Sequence, residues 1–238
     1  MIVNYTSSGW QIISQRSHGL LAAQICAHWD KNNQPECWVE TLIATAEHDD
    51  VYNELDNEEL INAQGGPIDF KETGFKKILS QKLIDMAETK SAYTALLLSR
   101  HIQFVHGSDP KATTFIKKLK KQEAGWIKTA ACSKAEITRG YELLEFCDAF
   151  SLLIAQGLIQ PEHRKIEISN GPDGTAYQMY ASDSGLVVSP WPFEIPFFTV
   201  SYESRSLAQL RFASSSAFRD AFKQAEVIRH ELRIIREN

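Results

Sequence analysis

The spacing of the hydrophobic residues changes twice along the chain, and these two changes limit the folds that it can form. Bulky and polar residues alternate on either side of Ser7-Ser8-Gly9, which predicts a β-hairpin over residues 2–14. The spacing is helical from Ser17 to Gly157, and after Pro161 it returns to the alternation that is typical of strands. The sequence therefore predicts an α+β fold with a helical bundle core, an N-terminal β-hairpin and a C-terminal β-rich region.

The helical part of the sequence begins with two segments that carry candidate functional residues. Ser17 is the predicted N-cap of the first helix, which places His18 in its first turn. The second helix is predicted to end at the pair His48 and Asp49. Residues 50–70 are acidic and lack sustained periodicity, so we expect a long loop of the kind that often forms lids or binding segments. Further helices are predicted over Phe75–Met86, Tyr93–Val105, Thr113–Lys128 and Ser133–Gly157.

The remainder of the chain is predicted to be rich in strands. Five strands follow Pro161, and they cover Lys165–Ser169, Ala176–Ala181, Gly185–Ser189, Phe197–Tyr202 and Leu207–Phe212. Two prolines in Trp191–Pro196 remove N–H groups that a central strand needs, so this segment is predicted to be a connector. A short helix over Ser216–Glu226 precedes a strand that buries one face between Ile228 and Ile234. We expect residues 1–160 to form the hairpin and helical domain, with residues 161–238 packed on the same core.

The composition excludes several classes of protein. Hydrophobic residues make up 43% of the 238 residues and charged residues 23%, which is typical of a globular protein rather than a disordered one. A net charge of -5 and a pI near 5.8 argue against binding to duplex nucleic acid. The four cysteines form no Cys-x-x-Cys pair and are predicted to be reduced thiols. The sequence has no secretory signal and no apolar run of about 20 residues, so we expect a soluble cytoplasmic protein without a membrane partner. A homo-oligomer is compatible with this composition.

Four predicted helices each contribute a side chain that can bind a metal ion. An ion needs ligands from several rigid elements, because one helix cannot surround it. Asp148 lies among apolar neighbours, and burying its charge without a partner or a metal would be costly. The sequence thus predicts a site for a divalent metal ion, Mn, Fe, Zn or Mg, whose candidate ligands are His18, His48, Asp49, His101 and Asp148. The alternative is that each histidine is an ordinary core or surface residue, and His106 is a further candidate for a second metal.

The order of these candidate ligands along the chain resembles that of known protein families. A His, then His-Asp, then His, then Asp on successive helices resembles the HD superfamily of metal-dependent phosphohydrolases, whose fold is all-helical. The chain also resembles, over nearly its whole length, a bacterial family of conserved proteins with no assigned function. The segments that carry this second resemblance are Gln15-Arg16-Ser17-His18, Ile43 to Asp50, Leu97 to His101 and Phe146 to Leu152.

The HD resemblance implies a metal-dependent hydrolase that acts on a small phosphoester or nucleotide-like substrate. His101 is then expected to contact the substrate or a second ion, and Arg100 to neutralise the charge of the leaving group. Asp50 or Asp56 is expected to orient the attacking water as a base. The phosphate-binding Gly-Lys that often follows the His-Asp pair is replaced here by Asp50-Val51-Tyr52. The site therefore has no phosphate-binding lysine at that position. A two-metal member of the superfamily is expected to have two further histidines well separated in sequence, and only His101 is suitably placed, so we expect a mononuclear or degenerate site.

Two other functions remain compatible with the same residues. Some HD-like proteins hold iron and activate oxygen, so an HD-like iron oxygenase is the first alternative. The second is a catalytically inactive binding or regulatory module that has kept the fold. Bound iron with oxygen consumption would favour the oxygenase, and purified protein that retains no metal would favour the inactive module.

Overall fold

The computed structural model describes residues 1–56 and 59–237. Its α-helices are α1 (Gln15–Ala27), α2 (Trp38–Glu47), α3 (Lys77–Glu88), α4 (Ala92–His106), α5 (Thr113–Ala130), α6 (Lys134–Ala155) and α7 (Ser215–Gln224). Its strands are β1 (Ile2–Thr6), β2 (Gly9–Ile13), β3 (Ile166–Asn170), β4 (Ala176–Ser182), β5 (Gly185–Ser189), β6 (Phe197–Leu207) and β7 (Glu226–Arg236). The predicted α+β fold, with an N-terminal hairpin, central helices and C-terminal strands, is confirmed.

The seven strands form one curled, half-barrel sheet in the order β1-β2-β6-β7-β5-β4-β3. The N-terminal hairpin joins the C-terminal strands because β2 pairs with β6, with Trp10 opposite Leu207. β7 enters the middle of the sheet, where it is antiparallel to β6 and parallel to β5. The first and last parts of the chain therefore share one sheet, and the predicted division at residue 160 stays a prediction.

The first helix begins earlier than its sequence suggests. Ser14, rather than the predicted Ser17, is the N-cap of α1, and its hydroxyl accepts a hydrogen bond from the Ser17 N–H over 3.1 Å. Ser14 directly follows the last residue of β2, so the chain passes from strand to helix without a loop. As a consequence Gln15 belongs to the helix and lies on the same face as His18, three residues further on.

The predicted strand over Leu207–Phe212 is wrong. β6 is one continuous strand that ends at Leu207, and residues 208–214 are in no strand. Phe212 is buried in a small cluster with Phe218 and the hairpin residue Ile12. Its N–H donates to the carbonyl oxygen of Gly65 in the long loop rather than to a neighbouring strand. The apolar residues of this segment therefore reflect side-chain burial and not sheet formation.

Helix α6 lies between the two largest hydrophobic clusters. Phe146 and Phe150 pack into a cluster formed with α1 and the inner face of the sheet. Ile137 and Leu144, on the same helix, belong to a cluster built from α2 to α5. Helix α6 also contacts α1, α2 and α4 directly. This position brings Asp148, in the second half of α6, to the place where these three helices meet.

Residues 50–70 follow α2 and contain no helix or long strand in their described part, as predicted for a long loop. Ile61 and Pro67 form an isolated bridge within this loop, and Phe70 begins a single 3-10 turn. Within residues 1–56 and 59–237, no helix combines the length and apolar character needed to cross a membrane.

Candidate metal centre

A close approach of α1 and α2 places two histidines side by side. His18 is in the first turn of α1, and His48 is the C-cap residue of α2. Gly19 makes this packing feasible, because a methyl group at position 19 would lie 2.6 Å from the carbonyl oxygen of Ala46. Since a carbon and an oxygen cannot come so close without a shift, any larger residue at position 19 would push the helices apart.

Three ligand atoms from three helices form a nearly equilateral triangle. Nε2 of His18 lies 3.1 Å from Nε2 of His48, and Oδ1 of Asp148 lies 2.9 Å from the first nitrogen and 3.2 Å from the second. Ligand atoms about 2.1 Å from an ion are about 3.0 Å apart at right angles and about 3.4 Å apart in a tetrahedron. The triangle therefore fits three ligands on one face of a six-coordinate ion better than a tetrahedral set.

Hydrogen bonds on the far side of each ring orient the two histidines. Nδ1 of His48 lies 2.8 Å from the carbonyl oxygen of Thr45, which can only accept, so Nδ1 carries the proton. Ser151 donates its hydroxyl hydrogen to the carbonyl oxygen of Asp148 and accepts from Nδ1–H of His18 over 2.8 Å. Nε2 of both rings can then present a lone pair to an ion, which is the arrangement that orients histidine ligands in many metal sites.

Burial and the charges of neighbouring side chains shift the pKa values of this cluster strongly. Burial alone would lower the pKa of His48, but the charges of Asp148 and Asp49 outweigh it and raise the pKa to about 9. Burial favours a higher pKa for Asp148, and His48 and His18 nevertheless hold it well below its usual range. Burial, reinforced by the charge of His48, lowers the pKa of His101 to about 4. At neutral pH, an ion would therefore displace a proton from His48.

Asp49 and His101 extend the cluster beyond the triangle. Oδ2 of Asp49 lies 3.7 Å from Nε2 of His48 and accepts a hydrogen bond from Nε2 of Gln15 over 2.7 Å. The ring of His101 contacts that of His48 edge to face, with 4.9 Å between centroids. Its Nδ1 is buried and has no hydrogen-bond partner among the described residues. The five side chains together could hold a metal ion.

A cavity of about 120 Å³ adjoins the cluster, and Asp49, His101 and Asp148 form part of its wall. This volume is large enough for several water molecules. Four other residues of its wall, Tyr52, Glu59, Lys76 and Leu79, also line an open surface groove. The cavity is partly open at the surface, and these shared residues place it beside the groove.

A family model described as "Protein of unknown function (DUF3891)" matches residues 1–209 of the chain. The chain belongs to the DUF3891 family. The matched region contains the hairpin, α1 to α6 and all five candidate ligands, and it ends before α7 and β7. No curated protein and no solved structure matches the chain. The expected membership of a family without an assigned function is confirmed, whereas the relation to the HD superfamily stays a prediction.

Other predicted site residues of the DUF3891 chain lie outside the wall of this cavity. Asp50 pairs with Arg16 over 2.6 Å and lines a different groove, between α1 and the sheet. Asp56 accepts a hydrogen bond from Asn53 and borders the outer groove. Arg100 donates to the hydroxyl of Thr138. Their catalytic roles stay predictions.

His106 lines the cavity together with His101, and its ring packs edge to face on Phe75 with 5.4 Å between centroids. Burial lowers the pKa of its imidazole. Among the described residues, two groups of side chains could hold an ion, one of His18, His48 and Asp49 and the other of His48, His101 and Asp148, and neither includes His106. Its role as a ligand for a second metal stays a prediction.

Several residues of the DUF3891 chain that support the centre are not among the site residues predicted from its sequence. Gln15, Thr45 and Ser151 each stand three residues from a candidate ligand in the chain, so each lies on the same side of its helix as that ligand. This spacing was a signal that the sequence contained. Lys76, by contrast, comes from the N-terminus of α3, and only the tertiary fold places it in the wall of the same cavity.

Proposed function

We propose that the protein is a metal-dependent hydrolase that acts on a small phosphoester. The observation that carries this proposal is the asymmetry of the centre, in which a buried triangle of ligand atoms adjoins a cavity connected to solvent. Three protein ligands on one face of a six-coordinate ion leave the opposite positions for water and substrate. A purely structural metal site would instead be closed on all sides.

His18, His48 and Asp148 would hold the ion in this proposal. A divalent ion bound there lowers the pKa of a coordinated water and polarises a phosphoryl oxygen. Asp49 faces the cavity, and its carboxylate is within reach of a water beside the cluster, so we assign it the role of orienting that water or accepting its proton. The uncharged imidazole of His101 would contact the substrate.

Lys76 supplies the cation that the sequence lacks after the His-Asp pair. Its ammonium forms an ion pair with Glu59 over 2.9 Å where the cavity and the outer groove share their walls. A phosphate that entered along the groove could replace Glu59 as the partner of Lys76, since ammonium groups bind phosphate as point charges. This exchange favours a phosphorylated substrate.

The test combines metal analysis with an activity screen. Purified protein is supplied with Mn, Zn, Fe(II) or Mg, its bound metal is quantified, and phosphate release is measured on a panel of small phosphomonoesters and phosphodiesters. We expect about one ion per chain and metal-dependent phosphate release. His48→Ala and Asp148→Ala should lose both, whereas His163→Asn, in an exposed loop, should keep both. Wild-type protein that binds no ion under these conditions would contradict the proposal.

An iron oxygenase is the second candidate, and the ligand triangle favours it. Two histidines and one carboxylate on a single face are the ligand set of many non-haem Fe(II) oxygenases. Protein loaded with Fe(II) and screened for oxygen consumption tests this alternative. Oxygen consumption without phosphate release would replace the hydrolase proposal, and protein that retains no ion would leave the inactive binding module as the explanation.

A further inference from the structure

Gln15 lines the cavity and carries a buried hydrogen-bond acceptor that the described part of the chain does not satisfy. The residue is 5% exposed and lines the cavity. Its Nε2 donates to Oδ2 of Asp49 over 2.7 Å, which fixes the orientation of the amide because an ionised carboxylate only accepts. Oε1 then has no hydrogen-bond partner among the described residues. A buried acceptor of this kind favours a ligand that brings an N–H or O–H group to it.

The carboxylates around Gln15 already have partners. Glu54 accepts a hydrogen bond from the backbone N–H of Gln15 over 3.0 Å and lies 3.2 Å from the amino group of Met1. Glu59 pairs with Lys76, and Asp148 lies against His18 and His48. The amide oxygen of Gln15 is thus an acceptor in this wall that a bound molecule can use without displacing a protein group among the described residues.

The position of Gln15 relates this acceptor to the metal ligands. The other end of its amide is bonded to Asp49, whose Oδ2 is 3.7 Å from Nε2 of His48. A molecule with one group bound to the ion can therefore place a second group at Oε1 of Gln15 if a short chain joins the two groups. The cavity volume of about 120 Å³ suits a ligand of that size.

We propose that the ligand of this cavity has two groups joined by a short chain. One group binds the metal, and the other is an amino or hydroxyl group whose hydrogen bond Gln15 accepts. The inference rests on the proposed function, and it narrows the substrate class to phosphoesters of short amino alcohols or diols. Gln15 acts here as a specificity residue, while its bond to Asp49 also positions that carboxylate.

The test compares three phosphates of equal chain length: 2-aminoethyl phosphate, 2-hydroxyethyl phosphate and propyl phosphate, which end in an ammonium, a hydroxyl and a methyl group. Calorimetry measures their binding to protein loaded with the ion that it retains best. We expect wild type to prefer at least one of the two donors over the methyl group by about tenfold, the effect of one net hydrogen bond. Gln15→Met should reduce this preference to about one.

The preference, rather than the absolute affinity, is the decisive quantity. Gln15→Met also removes the bond to Asp49, and the freed carboxylate attracts the ammonium compound most. The ratio of the hydroxyl compound to the methyl compound is therefore the one that reports on Oε1. Gln24→Met is the matched control, because Gln24 lies on the same helix and its amide bonds to the backbone of Ser201 in β6. This variant should keep the wild-type preference.

A parallel series separates this inference from the proposed function. The carboxylates β-alanine, 3-hydroxypropanoate and butanoate carry the same three end groups but no phosphate. If the phosphates fail to bind and the carboxylates show a preference that Gln15→Met removes, phosphoester hydrolysis is wrong and the role of Gln15 stands. Equal binding of the three end groups in both series, a preference that survives Gln15→Met, or no binding in either series would each overturn the inference.

Discussion

The candidate centre has a closed side and an open side, which differ in how their polar atoms are satisfied. On the closed side, His18 and His48 each use their second ring nitrogen in a hydrogen bond, to Ser151 and to the Thr45 carbonyl. On the open side, Oε1 of Gln15 and Nδ1 of His101 are buried without a hydrogen-bond partner among the described residues. Both of these residues line the cavity, whereas neither His18 nor His48 does.

This difference separates two tasks that one cluster has to perform. A ring whose far nitrogen is hydrogen-bonded cannot rotate, so the closed side holds its two imidazole ligands in set orientations and suits a permanently bound ion. Asp148 lies at the boundary of the two sides, since it contacts both rings and lines the cavity. Atoms left unsatisfied by the protein can exchange partners, so the open side suits molecules that enter and leave. If this division is right, changes on the closed side should affect metal affinity far more than changes on the open side.

The largest effect is expected for Asp148→Asn. The substitution keeps the shape of the side chain but removes the charge that faces His18 and His48. We expect metal affinity to fall more than about 100-fold, because even partners that only orient a ligand are worth 10–100-fold. Titration against a chelator measures this affinity, and Asp183→Asn, in an exposed turn, is the control. An affinity within about threefold of wild type would remove Asp148 from the ligand set.

Ser151→Ala tests the closed side without touching a ligand atom. Loss of the hydroxyl leaves Nδ1 of His18 without its acceptor, so the ring is no longer held in the orientation that presents Nε2. We expect a decrease in metal affinity of about 10–100-fold in the same titration. Ser182→Ala is a matched control, since the hydroxyl of Ser182 donates to the carbonyl oxygen of Gly185 at the turn between β4 and β5. Unchanged affinity would mean that packing alone orients His18.

Metal affinity should also depend on pH through His48. Its pKa is raised to about 9, so at pH 7 to 8 the metal-free protein carries a proton that the ion must displace. Affinity is therefore expected to rise about tenfold from pH 7 to pH 8 and to level off above pH 9. Calorimetry in buffers with different ionisation enthalpies should detect the release of about one proton per ion. An affinity that does not change over this pH range would show that the ion displaces no proton from His48.

The smallest effect on metal affinity is expected for His101→Gln, on the open side. We predict a change of less than about threefold, because the triangle of His18, His48 and Asp148 remains intact. Turnover of any substrate found in the screen should nevertheless fall by about 10²–10⁴-fold, the usual contribution of a residue that acts on the reacting group. A loss of metal affinity as large as that of Asp148→Asn would place His101 among the permanent ligands and end the distinction between the two sides.

The sequence predicted the helices of the centre because the local spacing of apolar residues indicates a helix. The same spacing drew attention to the candidate ligands as polar residues within or at the end of such patterns. Apolar residues at helical spacing located α1, α2, α4 and α6, and Asp148 was conspicuous as a charge within such a pattern. It could not predict the triangle, since this depends on how closely α1 and α2 pack at Gly19. Nor could it place Lys76 in the wall of the cavity, because no local pattern links the start of α3 to α6.

The sheet shows the same limit at a larger scale. Alternation predicted most of the strands, yet it carries no information on which strands become neighbours. The pairing of β2 with β6 joins residues about 195 positions apart, as in Trp10 and Leu207. The error over Leu207–Phe212 has the same origin, because Phe212 is buried by the long loop and by Phe218 rather than by a strand.

The position of β7 has a consequence for the order in which the chain can assemble. During synthesis β1, β2 and β6 can associate on one side and β3, β4 and β5 on the other, but residues 226–236 must emerge before these halves are joined. The family match ends at residue 209, so its boundary falls before the strand that links them. A chain cut at that boundary would carry every candidate ligand and yet leave the edges of β5 and β6 open, which makes it prone to aggregation.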